Sequence, residues 1–282
     1  MSIIVNHLDH VYSPGTAFEK KALNDVSFKI EDGEYVGLAG HTGSGKSTLV
    51  THLNGLMKPT AGAVYYNGVD IASDGYDLKG LRGNVGLVFQ YPEHQLFEED
   101  VFTDVCFGPK NLGLQRSEVE LRAYEALKAV GISDDRFYVS PFDLSGGEKR
   151  RVAIAGVLAM KPHVLILDEP CAGLDPKGRD DILAIADNLH DSLGITIMIV
   201  SHSMDDLADH VQRLIVMHDG MIVMDGSTRE VFSHRTELES IGLAVPQPTA
   251  VLSDLKKMGL PVREDLITVK EAKNEILRVF GR

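Results

Sequence analysis

The chain has 282 residues, 44% of them hydrophobic, and a formal net charge of −13. That length suits one large domain or one domain with an appendage, and the apolar fraction is ample for a core. The acidic balance argues against a nucleic-acid partner, no apolar run reaches the ~18 residues of a bilayer span, and Cys106 and Cys171 neither form a disulfide scaffold nor match a metal spacing. The opening MSIIVNHLDH lacks the apolar core of a signal peptide, so the chain is expected to reach a membrane only through a partner.

In chain order, Ile3–Leu8, Val26–Ile30 and Ala63–Tyr66 read as half-buried strands, the last followed by an Asn67-Gly68 turn. Between them, Glu34–Ala39 is an apolar run of strand length, and a helical pattern runs from Ser47. Helical stretches then alternate with short apolar strands at Val85–Phe89, Val164–Leu167, Thr196–Val200 and Leu214–Met217. The last three are continuous apolar runs, as in parallel strands buried on both faces. Asp219-Gly220 predicts a hairpin to Met221–Met224, and from Thr228 the pattern is helical. Pro246-Gln247-Pro248 reads as a stiff linker, beyond which Val251–Met258 and Val269–Phe280 are amphipathic helices.

Residues 40–48, GHTGSGKST, fit the phosphate-binding loop G-x-x-x-x-G-K-[ST]. Gly40, Gly43 and Gly45 let the backbone turn so that successive N–H groups converge on an anion, with His41, Thr42 and Ser44 between them. Lys46 can reach the outer phosphates, the Ser47 hydroxyl suits Mg²⁺, and Thr48 continues into a helix whose N-terminus favours phosphate. The predicted strand Val164–Leu167 ends in Asp168-Glu169-Pro170, where carboxylates point into the ligand crevice of an α/β sheet. Asp168 suits a Mg²⁺ role and Glu169 the polarisation of an attacking water.

These elements, with LSGGEKRR at 144–151, resemble the nucleotide-binding subunit of an ATP-binding-cassette (ABC) system over roughly residues 3–235. The resemblance implies an α/β fold with a P-loop parallel-sheet core, an N-terminal antiparallel β subdomain, a helical subdomain at about 91–160, and a small helical C-terminal extension at 236–282 that stabilises a dimer. It implies ATP and Mg²⁺ as cofactors. Tyr12, a residue type that more often merely packs, takes the adenine-stacking position, and Gln90 the position that reaches Mg²⁺ or the water. Ser145, Gly146, Gly147 and Glu148 form the signature, which has Glu148 where the family has Gln. Asp175 lies in an Asp-containing loop, and His202 holds the γ-phosphate, Glu169 and the water in line. In the family the signature acts on ATP bound to the opposite subunit.

A finer resemblance is to the ATPases of energy-coupling-factor (ECF) importers of vitamins and transition-metal ions. It rests on Tyr12–Thr16 with Phe18–Leu23, Ala39–Gly43, Phe89–Phe97, Phe107–Asn111 and Ser201–Asp205. His41-Thr42 and the extended first loop favour the second of two paralogues, and Cys171 replaces an expected small hydroxyl residue. The implied partners are a second, paralogous ATPase, a membrane-embedded coupling subunit and a solute-specific membrane subunit, placing the chain on the cytoplasmic face of the cell membrane. Homodimer and heterodimer both stay open. In 91–100, YPEHQLFEED, Leu96 and Phe97 are expected to bury a helix of the coupling subunit, with Glu93, Glu98, Glu99 and Asp100 orienting its basic residues.

Competing readings fit less well. An ATPase of another ABC importer class shares the core motifs. A soluble ABC ATPase working on DNA or ribosomes would show two cassettes, a long coiled-coil insertion or a basic face. A non-hydrolysing regulatory subunit would lack Glu169 or His202.

Overall fold

The computed structural model describes residues 2–281. Strands β1 (Ile3–Tyr12) and β2 (Lys20–Ile30) lead to β3 (Tyr35–Gly40) and helix α1 (Lys46–Leu53), followed by β4 (Ala61–Tyr66), β5 (Val69–Asp70), α2 (Leu78–Asn84) and β6 (Val85–Val88). Three helices come next, α3 (Val101–Leu112), α4 (Arg116–Ala129) and α5 (Gly146–Leu158). The chain continues through β7 (Val164–Asp168), α6 (Pro176–Leu193), β8 (Thr196–Val200), α7 (Met204–His210), β9 (Arg213–His218) and β10 (Met221–Ser227). It ends with α8 (Thr228–Ser233), α9 (Arg235–Ser240), α10 (Gln247–Lys257) and α11 (Val269–Val279).

The strands form two sheets, β2-β1-β4-β5, which is antiparallel, and β10-β9-β3-β8-β7-β6, which is parallel except for the β9–β10 hairpin. Burial explains the division of patterns. Every residue of β3, β6, β7 and β8 is buried, because helices cover one face of this parallel sheet and α1 with the antiparallel sheet the other, whereas the edge strand β10 alternates exposed and half-buried positions. Strands β1 and β2 run longer than their clean alternation suggests. Register shifts around His7, whose φ is 48°, break the period of two without ending the pairing.

One apolar cluster joins Val101, Val105, Leu127 and Leu158 of α3–α5 to Leu165 and Ile199 of the sheet and Ile182 and Leu189 of α6. A second fills the space between the two sheets around Leu38, Leu49 and Val64. Helices α10 and α11 enclose a small cluster of their own around Leu252, Val262, Leu266 and Ala272. Pro246-Gln247-Pro248 is therefore no linker: it starts α10, with Pro246 capping and Pro248 in the first turn. A proline there loses no hydrogen bond, since first-turn N–H groups have no intrahelical acceptor.

Candidate functional site

The C-terminal ends of β3, β6, β7 and β8 open on one side of the parallel sheet, where α/β sheets bind ligands. There a cavity of about 650 Å³ is lined by Tyr12, Gly40–Gly43, Gly45–Thr48, Gln90, Asp168, Glu169 and His202. Ser44, also in the loop, is fully buried behind it.

The loop after β3 holds its shape through its own backbone. Gly45 has φ 105° and precedes α1 without any side-chain cap, so the first-turn N–H groups stay directed at the cavity. A Cβ on Gly45 would also stand 2.6 Å from the Ala22 carbonyl oxygen, so glycine is required twice over. Lys46 Nζ donates to the carbonyls of Gly40 at 2.6 Å and His41 at 3.0 Å, bridging the loop. Burial lowers the Lys46 pKa, partly offset by the Glu169 and Asp168 carboxylates. Tyr12 stands at the cavity mouth, its hydroxyl 3.1 Å from Thr48 Oγ1 and its ring edge-on to His10.

Asp168, the last residue of β7, is 5% exposed. Burial raises its pKa, while a hydrogen bond from the Ser47 side chain lowers it and the Glu169 charge raises it further. Two oxygen donors from two elements thus meet at one point, a hard donor set that suits Mg²⁺. Glu169 sits at φ 50°, unusual for a glutamate, with its N–H held by the Val200 carbonyl at 2.9 Å. Such a backbone costs on the order of 1 kcal/mol and turns the side chain into the cavity. Its Oε2 lies 2.8 Å from His202 Nδ1. Gln90 is two residues beyond β6, exposed at the cavity wall.

The remaining sequence candidates are elsewhere. Ser145, Gly146, Gly147, Glu148 and Asp175 line a separate cleft of about 430 Å³. Ser145 and Glu148 cap α5 reciprocally: Glu148 Oε2 accepts from the Ser145 N–H at 2.9 Å and from its hydroxyl at 2.7 Å. The Ser145 N–H is therefore not free, and the open backbone is that of Gly146 and Gly147, with space around both. Asp175 caps α6 by accepting from the Gly178 N–H at 2.7 Å. Cys171 packs against the main core, and burial pushes its thiol up to about 12, which makes it inert.

One important residue has no counterpart among the sequence candidates. Arg150, 1% exposed, donates to both Glu93 oxygens at 2.7 and 3.0 Å and to the carbonyls of Pro170 and Ala172 at 2.9 and 2.7 Å. One guanidinium thereby ties the signature helix, the segment after Gln90 and the segment after Glu169. Arg150 lies two positions after Glu148, the nearest carboxylate in sequence, but Glu148 is engaged by Ser145, so nothing local signals Glu93 as the partner. The finding also corrects the acidic-loop expectation, because Glu93 is committed to Arg150 and Asp100 caps α3. Leu96, at 7% exposure, belongs to the core, and only Phe97 stands out, at 56%, beside a groove of about 520 Å³ shared with Phe107 and Met160. Among the described residues, no helix is long and apolar enough to cross a membrane.

Comparison with known proteins agrees with this geometry. The ABC transporter family model matches residues 23–172. The energy-coupling factor transporter ATP-binding protein EcfA2 of Caldanaerobacter subterraneus is 53% identical, the match covering 99% of this chain and 97% of the relative. The EcfA2 of Clostridium perfringens is also 53% identical, over 99% of each chain. Among solved structures, cbiO1 of C. perfringens, part of the ABC transporter complex cbiONQ, superposes with a TM-score of 0.74 at 38% identity, over 85% of this chain and 93% of that one. A dimeric ATP-binding cassette in a post-hydrolysis state bound to ADP and Pi gives 0.71 at 29% identity, over 80% and 98%. With the phosphate loop, the Asp168-Glu169 strand end and His202 converging on one cavity, the chain belongs to the ABC transporter ATP-binding family, as an ATP-hydrolysing subunit of the energy-coupling-factor type and of its second-paralogue group.

Proposed function

We propose that this cavity hydrolyses ATP by in-line attack of a water that Glu169 deprotonates. The observation that carries the reading is the 2.8 Å contact between Glu169 and His202 at the phosphate-loop cavity. His202 holds the carboxylate toward the water and donates to the γ-phosphate, Lys46 and the loop N–H groups hold the outer phosphates, and Tyr12 stacks on adenine. Ser47, Asp168 and Gln90 would hold Mg²⁺, which when bound neutralises charge on the phosphates. Glu169→Gln is expected to keep ATP binding and to lower turnover roughly 10²–10⁴-fold, with a closed ATP-bound dimer accumulating. Near-normal phosphate release by that variant would remove Glu169 from the role.

The second cleft completes the site in trans. Gly146 and Gly147 present open backbone on a surface distinct from the phosphate-loop cavity, so a single chain cannot apply both to one nucleotide. The dimeric neighbour bound to ADP and Pi supports this arrangement. ATP closes the dimer by adding phosphate contacts from both faces and hydrolysis releases them. In this reading the working pair is a heterodimer with a paralogous ATPase, residues 1–235 form the nucleotide-binding unit, and 236–282 stabilise the dimer. The pair sits on the cytoplasmic face of the membrane and drives a coupling subunit and a solute-specific subunit that import a vitamin or a transition-metal ion. The groove beside Phe97 receives the coupling subunit.

A further inference from the structure

His41, in the phosphate loop, faces His218 at the end of β9 and Asp219 in the β9–β10 turn. The two imidazoles stand edge to face with centroids 5.0 Å apart. Asp219 offers one oxygen to each ring: Oδ1 is 3.6 Å from His41 Nε2, and Oδ2 is 3.5 Å from His218 Nε2. Three donors, one from each residue, lie within 4.8 Å of one another.

The protonation state of His41 is decided by its neighbour. Its Nδ1 is 2.9 Å from the Thr42 carbonyl oxygen, which can only accept, so Nδ1 carries the hydrogen. In the neutral ring Nε2 is then a bare lone pair, and it is buried with no hydrogen-bond partner. A lone pair aimed at a carboxylate repels it unless a cation lies between. A proton would draw the two atoms to about 2.7–2.9 Å, the range of charge-assisted bonds, and the observed 3.6 Å is too long. Metal–ligand bonds of about 2.0–2.1 Å in a tetrahedron place neighbouring donors roughly 3.3 Å apart; the His41–Asp219 separation of 3.6 Å is near that, and one donor from each of the three residues already lies within 4.8 Å of the others. The Nδ1–H to carbonyl bond is also the outer-shell contact that fixes the tautomer of metal-binding histidines. His218 differs in detail: its Nε2 is the nitrogen beside Asp219, and its Nδ1 is buried without a hydrogen-bond partner.

We propose that His41, His218 and Asp219 bind one divalent transition-metal ion. Two imidazoles and a carboxylate form a borderline donor set, suited to Zn²⁺, Co²⁺ or Ni²⁺ rather than Mg²⁺, with a fourth position left for water. The ion fastens the β9–β10 hairpin to the phosphate loop, where the Gly220 N–H already donates to the Ser44 carbonyl at 3.0 Å. It thus ties the mobility of the loop that holds phosphate to the supply of a metal, at a place distinct from Ser47 and Asp168.

The test uses the full chain, Zn²⁺ by equilibrium dialysis and Co²⁺ by its visible absorption. The expected result is one ion per chain, with visible bands of a low-coordinate Co²⁺ site, and at least a tenfold weaker affinity in His218→Ala and in Asp219→Asn. Neither residue lines the phosphate-loop cavity, and unchanged melting of the metal-free variants separates ligand loss from misfolding. His218→Gln serves where Ala loosens the hairpin. Binding that both variants retain, or no stoichiometric binding by the wild-type chain, would overturn the proposal.

Discussion

Replacing Arg150 by Met removes the charge that joins three functional segments while nearly preserving side-chain volume. It leaves Glu93 without its partner and takes the donor from the Pro170 and Ala172 carbonyls. Breaking a buried pair by removing one member costs roughly 3–5 kcal/mol. Because the Glu93 side chain keeps 17% exposure, the lower end applies, about 3 kcal/mol. A loss of that size lowers the melting temperature by roughly 6–12 °C. Urea titration and thermal melts followed by circular dichroism measure it, and Glu93→Gln with Arg150→Met closes a double-mutant cycle. The double variant is expected to recover part of the loss, since no bare carboxylate remains. The cost also has a pH signature. Burial raises the Glu93 pKa, but the Arg150 hydrogen bonds and charge outweigh it and hold the carboxyl below its usual value. The unfolded chain therefore binds the proton more readily, so this contribution is present above about pH 4.3 and fades as pH falls through the depressed folded pKa. The gap between wild type and Arg150→Met should narrow over that acid range. A single-variant loss below about 1 kcal/mol, with no coupling in the cycle, would refute the hub.

Other expectations follow from the two clefts and the groove. If the signature serves the opposite subunit, hydrolysis per chain should fall on dilution or require the paralogous subunit, and, with that subunit present, Lys46→Ala and Gly146→Asp should each leave one composite site intact while the double variant loses both. Gly146 has open space where the new side chain would stand, so folding survives, and a double variant as active as Lys46→Ala alone points to sites closed within one chain. Phe97→Ser, which spares the buried Leu96, should uncouple solute uptake in reconstituted vesicles while ATP binding stays within a factor of about two, as for an exposed substitution. Uptake at the wild-type rate would move the coupling surface elsewhere.

The local motifs were legible because their chemistry is local. Gly45 needs its backbone conformation whatever the rest of the chain does, and β7 and β8 are apolar but for Asp168 and Thr196 because both their faces are covered. Asp168 and Glu169 follow an apolar run, so their place at a strand end could be read directly. Pro246-Gln247-Pro248 misled for a related reason: proline signals a break equally well before a helix and within a linker, and only the packing of Leu252 against Val262 and Ala272 decides which. Everything that depends on residues distant in sequence waited for the fold. Arg150 meets Glu93 across 57 positions, and His41 meets Asp219 across the phosphate loop and the last hairpin of the sheet. The division of the site residues into two clefts belongs with these. Spacing along a chain fixes which side chains share a strand end or a helix turn. Which strand ends come together is set by the order β9-β3-β8-β7-β6, and that order minimises exposed apolar surface over the whole molecule rather than within any stretch of it.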